Sequence, residues 1–270
     1  MIILGRTFFI SHNNKIFVKN KQIISRKVRL SYSAKSGKKP VLFFIHGAAS
    51  NHTIWGPYSE AFKDHAQVLV DLRGHGHSGD GKIDLDLMVE DCRSIIKKEG
   101  LKDICVIGNS LGAVIAYRLA QQCGEVSSVV LASHYSKEYA RVSSVLNVLF
   151  RTCSVIAKLF PSRKKEFQSY VEGGIHRKFL FPLDLKGTYL SDYCDAAAQC
   201  LSCSASLSKL RKRALVLVGG YDLLIKVSAQ RRDSGKNRLV RFESMDSHHH
   251  IMTTRCGYAV RLIKGFLEKR

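Results

Sequence analysis

Five short, uninterrupted apolar runs, at residues 41–45, 68–70, 104–107, 129–131 and 214–218, constrain this 270-residue chain more than any other feature. A strand with apolar side chains on both faces must be covered on both faces, the condition of a strand inside a parallel sheet. Segments with helical character separate the runs, at about 53–64, 84–98 and 110–122. Strands alternating with helices across short glycine-bearing turns imply an α/β fold: a doubly wound, mostly parallel sheet with helices on both faces. Residues 7–33 alternate more loosely, with polar breaks at Asn13-Asn14 and 19–22, and read as antiparallel edge strands. A strand-like stretch at 238–242 and a terminal helix at about 255–268 close the chain.

The alternation stops after Ser133 and resumes only at residue 214. Within 142–160, Val142, Val145, Leu146, Leu149, Cys153, Ile156 and Phe160 recur at helical spacing, with Arg151 and Lys158 on the other side. Those charges, together with Asn147 and several serines, argue against a membrane span. A helical cap inserted between two strands fits better. The expected organisation is therefore a first core part over 1–133, a cap over 134–207 and a second core part over 208–270.

Charge is the compositional outlier: 43 Lys and Arg face 22 Asp and Glu, a net charge of +21. Residues 1–40 hold ten basic residues and no acid, and residues 133–213 hold 14 basic against 6 acidic, whereas 41–132 are mildly acidic. Such a field attracts polyanions and anionic membrane surfaces, or serves only solubility. No helix-turn-helix, zinc finger or RNA-binding aromatic motif accompanies it, so no specific nucleic-acid partner is expected. Weak anionic-membrane contact through the 142–160 helix and the nearby Arg163-Lys164-Lys165 is the partner the charge does suggest.

Eight cysteines could form a disulfide framework in a secreted chain. The start MIILGRTFF, however, places only four apolar residues before Gly5 and Arg6, too few for a signal-peptide core. A cytoplasmic location with reduced thiols is expected. Cys200-Leu-Ser-Cys203 has redox or half-zinc spacing, but no second pair completes a site, so these thiols are expected on a helix face or in a core.

The strongest local signal is Gly108-Asn109-Ser110-Leu111-Gly112, placed between an apolar strand and a helix. Gly-x-Ser-x-Gly in that position forms a sharp turn that projects the serine hydroxyl free of its neighbours. A serine needs a base and an acid to become a nucleophile. Asp222 follows the run 214–218, at a strand's carboxyl end where functional groups gather, and is the candidate acid. Asp246 is its rival, but lies too close to the histidines in sequence to arrive from a separate strand. His248, His249 and His250 are adjacent, and adjacent residues rarely converge on one metal ion. One of the three is the candidate base.

Taken together, these motifs resemble the α/β-hydrolase superfamily, in the branch carrying a helical cap. Phe43-Phe-Ile-His46-Gly47-Ala48 resembles the family's His-Gly turn. Asp71-Leu-Arg73-Gly74-His75-Gly76-His77-Ser78-Gly79 resembles its Asp-x-Arg-Gly-x-Gly-x-Ser segment. The resemblance covers about 35–133 and 208–270. It implies a Ser110, Asp222, His249 triad, since Met252 and Phe266 place His249 in the family's register, with His248 as second choice. It also implies an oxyanion hole from the backbone N–H groups of Ala48 and Leu111. His46 is expected to hold its loop, Asp71 and Arg73 to stabilise the fold, and His75 and His77 to lie on a turn surface.

The implied activity is cleavage of a carboxylic ester, or a related acyl bond, in a small-molecule substrate through an acyl-enzyme, with no cofactor and no metal. Serine at the elbow argues against dehalogenase and epoxide-hydrolase chemistry. The alternatives within the family are thioester or C–C bond hydrolysis, acyl transfer and cofactor-free haloperoxidase chemistry. A catalytically silent ligand-binding protein is the alternative outside enzymology, although no triad member is missing from the sequence.

Overall fold

In the computed structural model of the chain, the described residues are 9–11, 14–16, 19–141, 143–159 and 189–269. Strands β1 (Phe9–Ser11) and β2 (Asn14–Ile16) form a two-stranded antiparallel ribbon. The main sheet begins with β3 (Lys19–Ser25) and β4 (Val28–Lys35), then β5 (Lys38–Ile45). A 3-10 turn (His52–Trp55) and α1 (Gly56–Ala61) lead to β6 (His65–Val70). Next come α2 (Leu85–Lys98), β7 (Ile104–Asn109), α3 (Leu111–Gln122) and β8 (Val126–Ala132). After α4 (Ser143–Leu159) and α5 (Leu190–Ser202) the chain returns to the sheet as β9 (Arg213–Gly219). It ends with α6 (Val227–Ser234), β10 (Val240–Met245), α7 (Ile251–Thr254) and α8 (Cys256–Glu268).

The eight strands run in the order β10-β9-β8-β7-β5-β6-β4-β3. Every pairing from β10 through β6 is parallel, and the β3–β4 hairpin closes the far edge antiparallel. All five apolar runs are strands of this sheet, and their alternation sorts them between two cores. Val41, Phe43 and Ile45 of β5 join the core beneath α2 and α3. Leu42 and Phe44 turn to the opposite core, with Trp55, Tyr58 and the α8 residues Ile263 and Phe266. Helices therefore cover both faces, as a parallel sheet requires. The residues expected to form one helix at 53–64 instead make the 3-10 turn and α1, with Pro57 in the first helical turn, where its missing N–H costs nothing. The last strand lies two to three residues beyond the expected 238–242.

Helix α4 divides its apolar residues between the core and the outside. Leu146 and Phe150 pack on the core, but Val145, Val148, Leu149, Val155, Ile156 and Leu159 are each more than half exposed. Its polar residues turn inward: Ser154 is buried and donates to Asp195 of α5, and Asn147 donates to the Ala198 carbonyl and to Ser202. Val142 and Phe160 of the expected stripe, and Arg163-Lys164-Lys165, lie outside the described residues.

Candidate active site

Ser110 stands at the exit of β7, between strand and helix, with φ 52° and ψ −111°, in the left-handed region that non-glycine residues rarely adopt. Its N–H donates to the Ala132 carbonyl at 2.8 Å, anchoring the turn to β8. The flanking glycines are sterically required. A Cβ on Gly108 would lie 2.1 Å from the Gly112 carbonyl oxygen, and one on Gly112 would lie 2.2 Å from that of Ile45. Gly112→Ala must therefore lift α3 off β5. Backbone displacement of this kind costs about 1–3 kcal/mol. The urea midpoint of that variant is expected to fall accordingly; an unchanged midpoint would mean that α3 does not pack as closely as described.

Asp222 and His249 arrive from two other strand ends, after β9 and after β10. His249 Nε2 lies 3.0 Å from Ser110 Oγ, and His249 Nδ1 lies 2.7 Å from Asp222 Oδ2. A carboxylate accepts, so Nδ1 carries the proton and Nε2 is left to accept from the serine hydroxyl. The Asp222 side chain is wholly buried. Burial alone would push its carboxyl up, but the hydrogen bond and charge of His249 and the N–H groups of Leu224 and Ile225 outweigh it and hold the carboxyl below its ordinary value. Asp222 is thus an anion at neutral pH. Gly219 makes room for the histidine loop, since a Cβ there would meet the His248 carbonyl oxygen at 2.1 Å.

The neighbouring histidines point elsewhere. His248 is exposed and turns its Nδ1 to the Tyr221 carbonyl at 3.0 Å. His250 lines the cavity beside Ser110, where burial and the proximity of His249 pull its pKa down to about 4, so it is neutral at pH 7. Asp246 is an exposed partner of Arg255, away from the histidine ring. Sequence reasoning missed Ser133: it sits at the end of β8 with φ 48°, and its hydroxyl donates to the His249 carbonyl at 2.5 Å. Its position at a strand's carboxyl end was the available signal.

A cavity of about 470 Å³ opens over Ser110. Gly47, Ala48 and Leu111 line its floor, and Leu149, Phe150 and Cys153 of α4 with Tyr193, Cys194 and Cys200 of α5 line its far side. Leu111 opens α3, so its N–H has no carbonyl a turn behind it to bond. Among the described residues no Lys, Arg, Asp or Glu lines the cavity. The buried Ser50 Oγ and Asn109 Oδ1 face this space without a hydrogen-bond partner among the described residues.

His46 is fully buried, and its Nδ1 donates to the Gly47 carbonyl while Nε2 accepts from Leu72 N–H. Burial and His75 pull its pKa down to about 3, so it stays neutral and ties the floor of the cavity to the end of β6. Arg73 forms a two-pronged ion pair with Asp91, both buried. His75 is not on a surface: it is fully buried, its ring tilted against that of His46 with centroids 5.2 Å apart, and bonded to the Arg73 carbonyl. The loop after β6 folds back over itself, and a Cβ on Gly76 would strike the Asp71 carboxylate at 2.4 Å. His52, Asp71 and His77 are the described residues grouped closely enough to hold a metal ion. Asp71 nevertheless spends its oxygens on protein donors: His52 N–H and Nδ1, each at 2.8 Å, and His77 N–H at 2.9 Å.

A protein of Haemophilus influenzae described as an esterase/lipase is 32% identical over 130 residues, which are 46% of this chain and 45% of that protein. The 2-succinyl-6-hydroxy-2,4-cyclohexadiene-1-carboxylate synthase of Escherichia coli is 34% identical over 96 residues, 34% of this chain and 38% of that enzyme. The matched part thus spans less than half the length of these curated relatives. The crystal structure of the enol-lactonase from Burkholderia xenovorans superposes with a TM-score of 0.72 at 18% identity, over 92% of this chain and all of that one, which speaks to the fold alone. The family model described as "Alpha/beta hydrolase family" matches residues 42–255, from β5 through the candidate histidine, and the chain belongs to that family.

Proposed function

We propose that this chain is a serine hydrolase that cleaves carboxylic esters with an apolar acyl group. The observation carrying the proposal is the unbroken relay from Ser110 Oγ through His249 to the buried Asp222, beneath a cavity whose described lining has no fixed charge. Ser110 Oγ attacks the ester carbonyl as His249 Nε2 takes its proton. The oxyanion lies against the N–H groups of Ala48 and Leu111, each such donor being worth about 2.7–4 kcal/mol in the transition state. His249 returns the proton to the departing alcohol. A water then loses a proton to His249 and attacks the acyl-serine, and His249 returns that proton to Ser110 Oγ as the acid leaves. Residues 134–207 act as the cap, with α4 and α5 as the wall against which the acyl chain rests.

The synthase among the relatives raises a second reading, chemistry on a carboxylate-bearing substrate. The cavity supports it less well. A carboxylate taken out of water needs a cation or several donors, and among the described lining residues there is neither Lys nor Arg, while His250 is neutral. A series of p-nitrophenyl esters tests the preferred reading. Each methylene buried against the far wall is worth about 0.8 kcal/mol, or roughly fourfold in kcat/KM. The ratio is expected to climb from acetate until the chain fills the cavity; a series that falls from acetate onward would rule out an acyl-binding wall.

A further inference from the structure

Helix α4 carries an exposed apolar face. Its polar residues Asn147 and Ser154 bond to α5, while Val145, Val148, Leu149, Val155, Ile156 and Leu159 lie exposed on the outer side, with exposed Thr152 among them. An exposed apolar stripe of this length marks an interaction surface rather than a solvated one. Arg151 and Lys158 flank it, each held by a neighbour, Asn147 and Asp195 respectively. No helix among the described residues is long and apolar enough to cross a membrane.

We propose that this outer face of α4 docks on the surface of an anionic lipid bilayer, lying in its interface. The charge selects the occupant. Copies of a chain carrying +21 repel one another, whereas an anionic surface attracts each of them, and apolar burial with basic flanks then acts jointly. The position of the stripe gives docking a use. Leu149 belongs both to the exposed face and to the lining of the cavity over Ser110, so the docked helix sets the cavity mouth at the level of the acyl chains. The substrate class would then be esters that partition into the membrane, a clause that rests on the ester-hydrolase reading; the docking does not.

Vesicle flotation tests it, using phosphatidylcholine vesicles with and without about 30% phosphatidylglycerol, at low and high salt. The wild-type chain and the Ser110→Ala chain should both float with the anionic vesicles at low salt, and less at high salt. A Val148→Asp, Ile156→Asp chain, altered at two residues outside the cavity, should float at least about tenfold less. It should still turn over a soluble short-chain ester as wild type does. No flotation of the wild type at low salt overturns the proposal. Equal flotation of the double variant overturns it too, because charge elsewhere would then carry the binding. Self-association that the double variant abolishes, without vesicle binding, would assign the stripe to a second copy instead. A chain that floats but hydrolyses no ester would leave docking intact and remove the proposed function.

Discussion

Replacing Ser110 by alanine should abolish labelling by a fluorophosphonate and lower ester turnover by on the order of 10⁶-fold. The fold should persist. Alanine accepts the same strained turn as serine, and the Ser110 hydroxyl has His249 as its hydrogen-bond partner. Unfolding midpoints of variant and wild type should therefore agree closely, which separates loss of chemistry from loss of structure. Labelling that survives on the alanine chain would place the reactive group elsewhere and end the serine-nucleophile proposal. The residual rate carries information as well. An oxyanion hole at Ala48 and Leu111 should keep the dead variant measurably faster than water alone.

The histidine run should divide sharply under the same assay. His249→Ala should lose about as much as the serine variant, because serine and base act as one unit. His248→Ala and His250→Ala should stay within about tenfold of wild type, since neither ring lies between Ser110 and Asp222. A dead His248 variant with an active His249 variant would move the base by one position; three active variants would dismiss a histidine base. Asp222→Asn should fall between, about 10⁴-fold down, since an amide cannot hold the imidazole in the tautomer that leaves Nε2 free to accept.

Much of this was legible in the sequence because the rules involved are local. An apolar run without alternation has to be covered twice, and Gly-x-Ser-x-Gly between a strand and a helix leaves little choice of backbone. The orientation of α4 was not legible. Periodicity reveals a stripe but not what it faces, and only the tertiary contacts of Asn147 and Ser154 with α5 show that the aliphatics look outward. His75 was misjudged for a related reason. Histidine in a glycine-rich loop reads as surface, yet that loop doubles back and buries the ring against His46. Local patterning alone does not separate the three adjacent histidines, which share one local signal; only the family register of Met252 and Phe266 singled out His249, the ring the fold brings to Ser110.

The separation of Ser110 and His249 along the chain, 139 residues, has a consequence for how the protein comes into being. A ribosome adding about 5–20 residues each second makes the serine turn roughly 7–28 s before it makes the histidine. Through that interval the nascent chain can carry a finished β5–β7 region with a hydroxyl no more nucleophilic than any other alcohol. On the proposed mechanism, hydrolytic power is withheld until β9 and β10 join the sheet edge, and a half-made or carboxyl-terminally clipped copy would be inert rather than indiscriminately reactive.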